Sequence, residues 1–380
     1  MPKSLVVCCD GTWNTPDQRS PTNVSKIALA VADVDDNGCE QRTFYHLGVG
    51  TSRGERIRGG AFGYGLSRDV RDAYRFLVLN FEPGDRLFFF GFSRGAFTAR
   101  STAGFVRNCG ILRRSEADRI DEAYALYRDT NSTTHPRGIE ATLFRRSYSH
   151  EPRIHFIGVW DTVGALGIPV DGLHLIGLLN ERWQFHDTKL STSVDAAYQA
   201  LAIDEQRRPF RPALWTQQPD APPGQIVEQV WFSGVHCDVG GGNPGHGLSD
   251  IPLLWMVERA QRSGVRFDAD AFTRFPAQRR MPSTIDETVR SRTCVAPDPC
   301  GHYDDSRKGL YRAIAPYHRR LGVTDVEHEY VASSAVMRYE EIAAYAPTGL
   351  ADYLNSKDHH VMEVDDDRPN LRAPVRHGQA

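Results

Sequence analysis

A serine lies at the centre of a five-residue motif that is typical of a nucleophilic turn. Gly91, Ser93 and Gly95 give the pattern G-x-S-x-G. The motif directly follows the apolar run 87–90 and precedes the small-residue stretch 96–103, so a strand, a sharp turn and a helix are predicted in succession. In that context the turn exposes the serine hydroxyl, and the glycines leave room for a strained backbone. We therefore predict that Ser93 is a nucleophile.

A serine nucleophile needs a base, and the base needs a carboxylate that orients it. Two later apolar runs end in suitable residues. The run 154–160 is followed by Asp161, and the run 230–235 is followed by His236. The order serine, acid, histidine is that of hydrolases built on an α/β sheet, with each residue at the carboxyl end of a strand. The pattern predicts a triad of Ser93, Asp161 and His236.

Other residues compete for the acid and base roles. Asp238 lies two residues after His236 and would serve as the acid if a later histidine were the base. His328, within Glu-His-Glu, is the strongest such histidine because it lies late in the chain, and His302 and His318 come next. The residues alone leave this choice open.

Two backbone segments are predicted to stabilise an oxyanion. The helix that follows the motif directs the N–H of Arg94 and its dipole at developing negative charge. The loop after the first strand supplies a second donor, Gly11 or Thr12, and Asp10 is expected to brace that loop. The Asp-Gly-Thr triplet also resembles the motif of haloacid dehalogenase phosphatases. That motif needs an aspartate at the position of Cys8, so a phosphatase is disfavoured.

Short apolar runs alternate with helical patterns along the chain, which indicates an α/β layer architecture. Strands buried on both faces are predicted at Leu5 to Cys9, Arg86 to Phe92, Ile154 to Trp160 and Gln229 to Val235, with a shorter one at Thr43 to Leu47. We expect an α/β-hydrolase-like fold, in which a mostly parallel central sheet carries helices on both faces and helical cap insertions.

Helices are predicted at 66–81, around 194–202, from Ser249 and Asp250 onward, and at 334–345, from apolar spacing and capping residues. The segments 110–152 and 163–190 are interpreted as cap insertions; the first is charged and helical, and the second is apolar but broken by glycine and proline. We expect one catalytic domain over residues 1–364 and a flexible tail over 365–380.

Composition excludes several classes of protein. The 380 residues carry 45 Lys and Arg against 48 Asp and Glu, a net charge of −3, which disfavours a nucleic-acid binder that works by backbone electrostatics. No stretch reaches the roughly 20 apolar residues of a membrane-spanning helix. The N-terminus shows no classical signal peptide, and the seven cysteines show no zinc-type spacing, so we expect a cytoplasmic location in the producing cell and no metal site.

Several segments together resemble the α/β-hydrolase domain family of the first class of type VI secretion lipase effectors. They occur in the family's order over roughly residues 5–260: 9–14, 91–96, 158–164, 202–205 and 231–242. The resemblance implies the α/β-hydrolase fold, a triad at Ser93, Asp161 and His236, and phospholipase activity. It also implies lipid substrates, peripheral membrane contact, export by a type VI system and an immunity or secretion partner.

These observations predict a serine hydrolase that cleaves carboxylic esters and is lipase- or phospholipase-like. The predicted chemistry needs no metal or organic cofactor. Two alternatives stay open: an esterase or thioesterase of the same fold that acts on small substrates, and a binding module that keeps the fold without catalysis.

Overall fold

The computed structural model describes residues 2–11, 18, 20–48, 61–163, 188–273, 290–303 and 305–364. The predicted tail, Thr12 and all but the ends of the predicted insertion 163–190 lie outside the described residues. Strands occur at β1 (Ser4–Cys9), β2 (Gln41–His46), β3 (Arg86–Phe92), β4 (Ile111–Leu112), β5 (Ser149–His150), β6 (Phe156–Trp160), β7 (Ala196–Ala202), β8 (Ile226–Phe232), β9 (Glu329–Ala332) and β10 (Val361–Met362).

Helices connect and cover these strands. They are α1 (Asn23–Ala30), α2 (Ala61–Asn80), α3 (Arg94–Cys109), α4 (Ile120–Arg128), α5 (Ile139–Tyr148), α6 (His236–Gly240), α7 (Gly247–Arg262), α8 (Ser333–Glu341) and α9 (Thr348–Leu354). Eight strands form one parallel sheet in the order β10-β9-β8-β7-β6-β3-β1-β2. The predicted α/β class with a mostly parallel central sheet is confirmed.

Side chains alternate between two apolar layers, because successive residues of a strand point to opposite faces. On β1, Val6 and Cys8 pack into one layer and Leu5, Val7 and Cys9 into the other. The first layer is covered by α1, α7, α8 and α9, and the second by α2, α3, α4 and α5. Helices therefore lie on both faces of the sheet, as predicted, and strands buried on both sides explain the near-continuous apolar runs.

The prediction of a helix around 194–202 was wrong. Residues Ala196–Ala202 form β7, a fully buried strand that pairs in parallel with both β6 and β8. Four alanines in seven residues favour a helix locally. Their small side chains instead let helices pack closely on a central strand, and this tertiary context overrides the local preference.

Several other boundaries differ from the prediction, including those of α7 and β8. The helix expected to begin at Ser249 and Asp250 begins at Gly247, so both residues lie within the first turn of α7 rather than before it. The Asp250 carboxylate binds Lys26 at 2.6 Å and His246 at 2.5 Å instead of capping the helix. Strand β8 runs from Ile226 to Phe232, three residues earlier at each end than predicted.

The segment 110–152 lies outside the main sheet. Its strands β4 and β5 form a separate antiparallel pair. The helices α4 and α5 bury Ile120, Ala123 and Phe144 in the apolar layer that also holds α3. Since α3 begins at the predicted serine motif, this segment supports the helix that carries the site.

Candidate active site

The serine motif forms a tight turn between β3 and α3. Ser93 has φ of 58° and ψ of −120°, a conformation that L-residues rarely adopt. A Cβ on Gly91 would lie 2.6 Å from the Cα of Ala96, and a Cβ on Gly95 would overlap the backbone carbonyl of Cys9. Both glycines are therefore required for this close approach of strand and helix, which leaves Ser93 at the carboxyl end of a central strand.

A continuous chain of hydrogen bonds joins the three predicted triad residues. His236 Nε2 lies 2.8 Å from Ser93 Oγ, and His236 Nδ1 lies 2.6 Å from Asp161 Oδ2. An ionised carboxylate only accepts, so Nδ1 donates to Asp161 and Nε2 accepts from the Ser93 hydroxyl. The strands β3 and β6 are neighbours, and β8 lies two strands further along, so three carboxyl ends meet at one edge of the sheet.

The Asp161 carboxylate is fully buried and strongly held. Its backbone has φ of 39°, the second positive value among these three residues. Burial alone would raise the pKa of Asp161, but the charge of Arg319 and the hydrogen bonds from His236 and Arg319 hold it well below its ordinary value. Asp161 therefore stays ionised, in the form that can orient an imidazole.

The imidazole of His236 is fixed by its neighbours as well as by hydrogen bonds. The ring lies between Phe92 and Phe210, at centroid distances of 4.7 and 4.9 Å. Arg207 stacks on Phe210 and binds the buried carboxylate of Glu205 at 2.7 Å. These contacts leave the ring little freedom to rotate away from the serine.

Asp10, which we expected to brace the loop after β1, accepts several hydrogen bonds at the end of that strand. The buried Asp10 carboxylate accepts hydrogen bonds from Thr22 Oγ1 at 2.7 Å and from the Tyr45 hydroxyl at 2.6 Å. It also accepts from the N–H of Gly11 at 2.6 Å. Gly11 and Thr12 were the two candidates for the second oxyanion donor. Gly11 already donates to a carboxylate in this structure, and Thr12 lies outside the described residues.

The N–H of Arg94 belongs to the first turn of α3. N–H groups in a first turn have no carbonyl acceptor within their own helix and point toward the helix start, where Ser93 lies. The helix start therefore faces the serine with positive partial charge.

The competing acid and base residues bind elsewhere. Asp238 Oδ2 accepts from the backbone N–H of Val235 at 3.0 Å, at the start of α6. His328 Nδ1 pairs with Asp325 Oδ1 at 2.9 Å, before β9. In the described residues neither is joined to Ser93 by a hydrogen bond, whereas His236 is.

Sequence reasoning missed two charged residues of this site. Arg319 contacts Asp161, and Glu205 Oε2 accepts from the His236 backbone N–H at 3.4 Å. Glu205 lies in one of the segments that carry the family resemblance, so that segment could have pointed to it. Arg319 stands in an ordinary charged stretch, and nothing in its local sequence marks it.

An eight-stranded parallel sheet with a serine on a strand–turn–helix bend, next to a histidine and a buried aspartate, is an arrangement typical of the α/β-hydrolase class. Comparison with known families agrees with this class. The profile of the family described as "T6SS, Phospholipase effector Tle1-like, catalytic domain" matches residues 3–259. The chain belongs to this family, and the predicted resemblance is confirmed.

The matches to individual proteins span only part of this chain and part of each relative. The chain is 28% identical over 242 residues to "Uncharacterized protein YEL023C" of Saccharomyces cerevisiae, a match that spans 58% of this chain and 34% of the yeast protein. A crystal structure of an uncharacterized protein from Pseudomonas aeruginosa aligns over 78% of this chain and 49% of that one, with a TM-score of 0.43 and 19% identity. The chain thus spans about a third of the yeast relative and about half of the bacterial one.

None of the helices in the described ranges is both long enough and apolar enough to cross a membrane.

Proposed function

We propose that this chain is a serine hydrolase that cleaves carboxylic esters of lipids through Ser93, His236 and Asp161. The observation that carries the proposal is the hydrogen-bond chain from Ser93 Oγ to His236 at 2.8 Å and from His236 to Asp161 at 2.6 Å. Chance packing rarely gives a strained serine, a histidine and an ionised buried carboxylate in this order.

The proposed reaction has two stages. His236 Nε2 takes the proton of Ser93 as Oγ attacks the acyl carbon, and it then protonates the leaving alcohol. Water attacks the acyl-serine in the second stage, with His236 again as base. Asp161 holds the ring so that Nε2 faces the serine, and its negative charge stabilises the imidazolium that forms.

Backbone donors stabilise the oxyanion in this proposal. The N–H of Arg94 is the first donor, and the loop of Gly11 and Thr12 supplies the second. Because Gly11 donates to Asp10 in the described conformation, Thr12 is the better candidate. Loss of one such donor typically costs about a hundredfold or more in rate.

Membership of a phospholipase effector family supports a lipid substrate, and with it contact with a membrane surface. It equally supports delivery by a type VI system, with an immunity partner in the producing cell. These assignments rest on the family and not on a described contact of this chain.

Covalent labelling with a fluorophosphonate tests the reaction class. We expect the wild-type protein to be labelled and to release fatty acid from vesicles of phosphatidylethanolamine and phosphatidylglycerol. Ser93→Ala abolishes both, because the nucleophile is lost. Ser101→Ala, which removes a buried hydroxyl from α3, the helix that follows Ser93, keeps both and serves as the matched control.

Two outcomes would contradict the proposal. An intact wild-type protein that neither labels nor hydrolyses any ester would indicate a binding module. Labelling together with hydrolysis of short soluble esters but not of vesicles would keep the serine chemistry and replace the lipid substrate by a small one.

A further inference from the structure

The guanidinium of Arg319 lies directly behind the acid of the proposed triad. Its side chain is fully buried, as is that of Asp161. Arg319 Nη1 lies 2.6 Å from Asp161 Oδ1, and Nη2 lies 3.0 Å from Oδ2. This is a two-pronged contact, in which the planar fork of the arginine holds both carboxylate oxygens at once.

The second N–H of Nη1 and of Nη2 is also used, whereas Nε has no hydrogen-bond partner among the described residues. Nη1 donates to the backbone carbonyl of Ala202 at 2.7 Å, and Nη2 donates to the carbonyl of Phe210 at 2.6 Å. Four hydrogen bonds on two nitrogens fix the plane of the guanidinium. Since Phe210 also packs against the imidazole of His236, one side chain links the acid to the wall that supports the base.

The Asp161 carboxylate has unusual need of such a partner. It is completely buried, which disfavours its charged form. Its backbone has φ of 39°, in the left-handed region that is unfavourable for residues other than glycine. The neighbouring N–H of Ala202 gives it one further hydrogen bond at 3.1 Å. Arg319 supplies its only full positive charge among the described ion pairs, because His236 carries charge only when protonated.

Arg319 comes from a distant part of the chain. It lies 158 residues after Asp161 and beyond residues 3–259, which the family profile matches. The C-terminal part of the chain therefore contributes to the site as well as to the edge of the sheet.

We propose that Arg319 is a positioning residue of the hydrolase, which holds the Asp161 carboxylate ionised and correctly rotated toward His236. This inference rests on the proposed function. Arg319 acts through the Asp161 carboxylate and does not touch the reacting atoms.

Two variants separate the charge of Arg319 from its fork. Arg319→Met removes both, so Asp161 becomes an uncompensated buried carboxylate that takes up a proton more readily. We expect kcat/KM to fall about 100-fold at neutral pH, and the acid limb of its pH profile to move up by about one pH unit or more. Arg319→Lys keeps the charge but not the fork, so we expect a smaller loss and an acid limb near that of the wild type.

A matched control is available in Arg259. It is also buried and pairs with two carboxylates, Glu228 at 2.8 Å and Glu258 at 2.6 Å, but it contacts none of the triad residues. Arg259→Met removes a comparable ion pair. We expect it to lower stability while leaving the shape of the pH profile unchanged.

The experiment measures kcat/KM against pH for the wild type and the three variants, with circular dichroism to verify folding. Wild-type values in Arg319→Met would overturn the proposal. Equal losses in Arg319→Met and Arg319→Lys without movement of the acid limb would overturn it too, since they indicate a merely structural role. If Arg319→Met does not fold, the profile of Arg319→Lys decides: full activity contradicts a need for the fork.

A second readout does not depend on activity. ¹⁵N NMR of the His236 ring reports which nitrogen carries the proton. We expect Nδ1 to be protonated in the wild type and the two tautomers to be mixed in Arg319→Met. A wild-type protein that hydrolyses no ester would refute the proposed function, and the NMR comparison would still test Arg319; an unchanged tautomer in Arg319→Met would refute its role.

Discussion

The serine end of the site is built from one short stretch of chain, whereas the aspartate end is assembled from distant ones. Six consecutive residues, 91–96, make the turn that carries Ser93, and each glycine is required by a contact within this region or with β1. Asp161 instead depends on Ala202, His236 and Arg319, which lie 41, 75 and 158 residues away. A local motif thus positions Ser93, the proposed nucleophile, while long-range packing holds the carboxylate of Asp161, the proposed acid.

The largest expected effect tests whether the two ends work as one unit. His236→Ala and Asp161→Asn should each lower kcat by about 10⁴-fold. The first removes the proposed base, and the second replaces the carboxylate that orients it with a neutral amide, whose NH₂ group favours the wrong tautomer. His328→Ala is the matched control, since His328 also pairs with an aspartate. We expect wild-type turnover from it, measured as fatty-acid release.

The reverse result would be decisive. Near-normal turnover in His236→Ala, together with collapse in His328→Ala, would show that a later histidine is the base and that the hydrogen-bond chain at Ser93 is structural.

A smaller effect is expected from a change in the turn that carries Ser93. Gly95→Ala introduces a Cβ that overlaps the Cys9 carbonyl, so α3 must move away from β1. We expect the free energy of unfolding to fall by about 1–3 kcal/mol or more, with loss of labelling at Ser93. Gly245→Ala is the control, because a Cβ there has no atom within 4 Å. Urea unfolding of both variants measures the difference, and equal stability would contradict the need for glycine at the turn.

A second effect on stability, which depends on pH, probes the segment that follows β7, near Asp161. Burial raises the pKa of Asp204 to about 6, although hydrogen bonds from Gly234 and Tyr345 oppose the shift. An unfolded aspartate titrates near ~3.9, so the folded state binds more protons between about pH 4 and 6. Stability should therefore fall as pH rises through this window, by about 2–3 kcal/mol at most.

Asp204→Asn removes this titration and should flatten the dependence of unfolding free energy on pH. Asp352→Asn, at an exposed position on α9, should leave the slope unchanged. An unaltered slope in Asp204→Asn would show that another group is responsible.

Much of the fold followed from the sequence, because strands buried on both faces leave a clear apolar signature. The bounds of β3 were predicted to the residue, and β1 and β6 nearly so. The prediction of a helix at 194–202 was wrong because alanine favours a helix locally. In the fold this segment instead pairs as a strand with both β6 and β8. The short strands β9 and β10, the last two at one side of the sheet, were missed, since two to four residues carry too little periodicity.

In the candidate site, too, some residues could be predicted from local sequence and one could not. Ser93 lies in a motif whose spacing is itself the signal, and Asp161 and His236 follow predicted strands, so all three could be named in advance. Their roles remain predictions that the variants above test. Arg319 could not be found, because its partner is brought to it only by the folded sheet and no local pattern marks a counter-ion.

The origin of Arg319 beyond residue 259 has a practical consequence for dissecting this chain. A fragment cut at the limit of the family match would retain the serine motif, the histidine and the aspartate. It would nonetheless lack β9, β10 and Arg319, the cation that pairs with Asp161. The Asp161 carboxylate would then be a buried negative charge without its arginine partner. If Arg319 has the proposed role, inactivity of such a fragment would follow from the missing counter-charge and the missing strands, and it would not be evidence against Ser93 as the nucleophile.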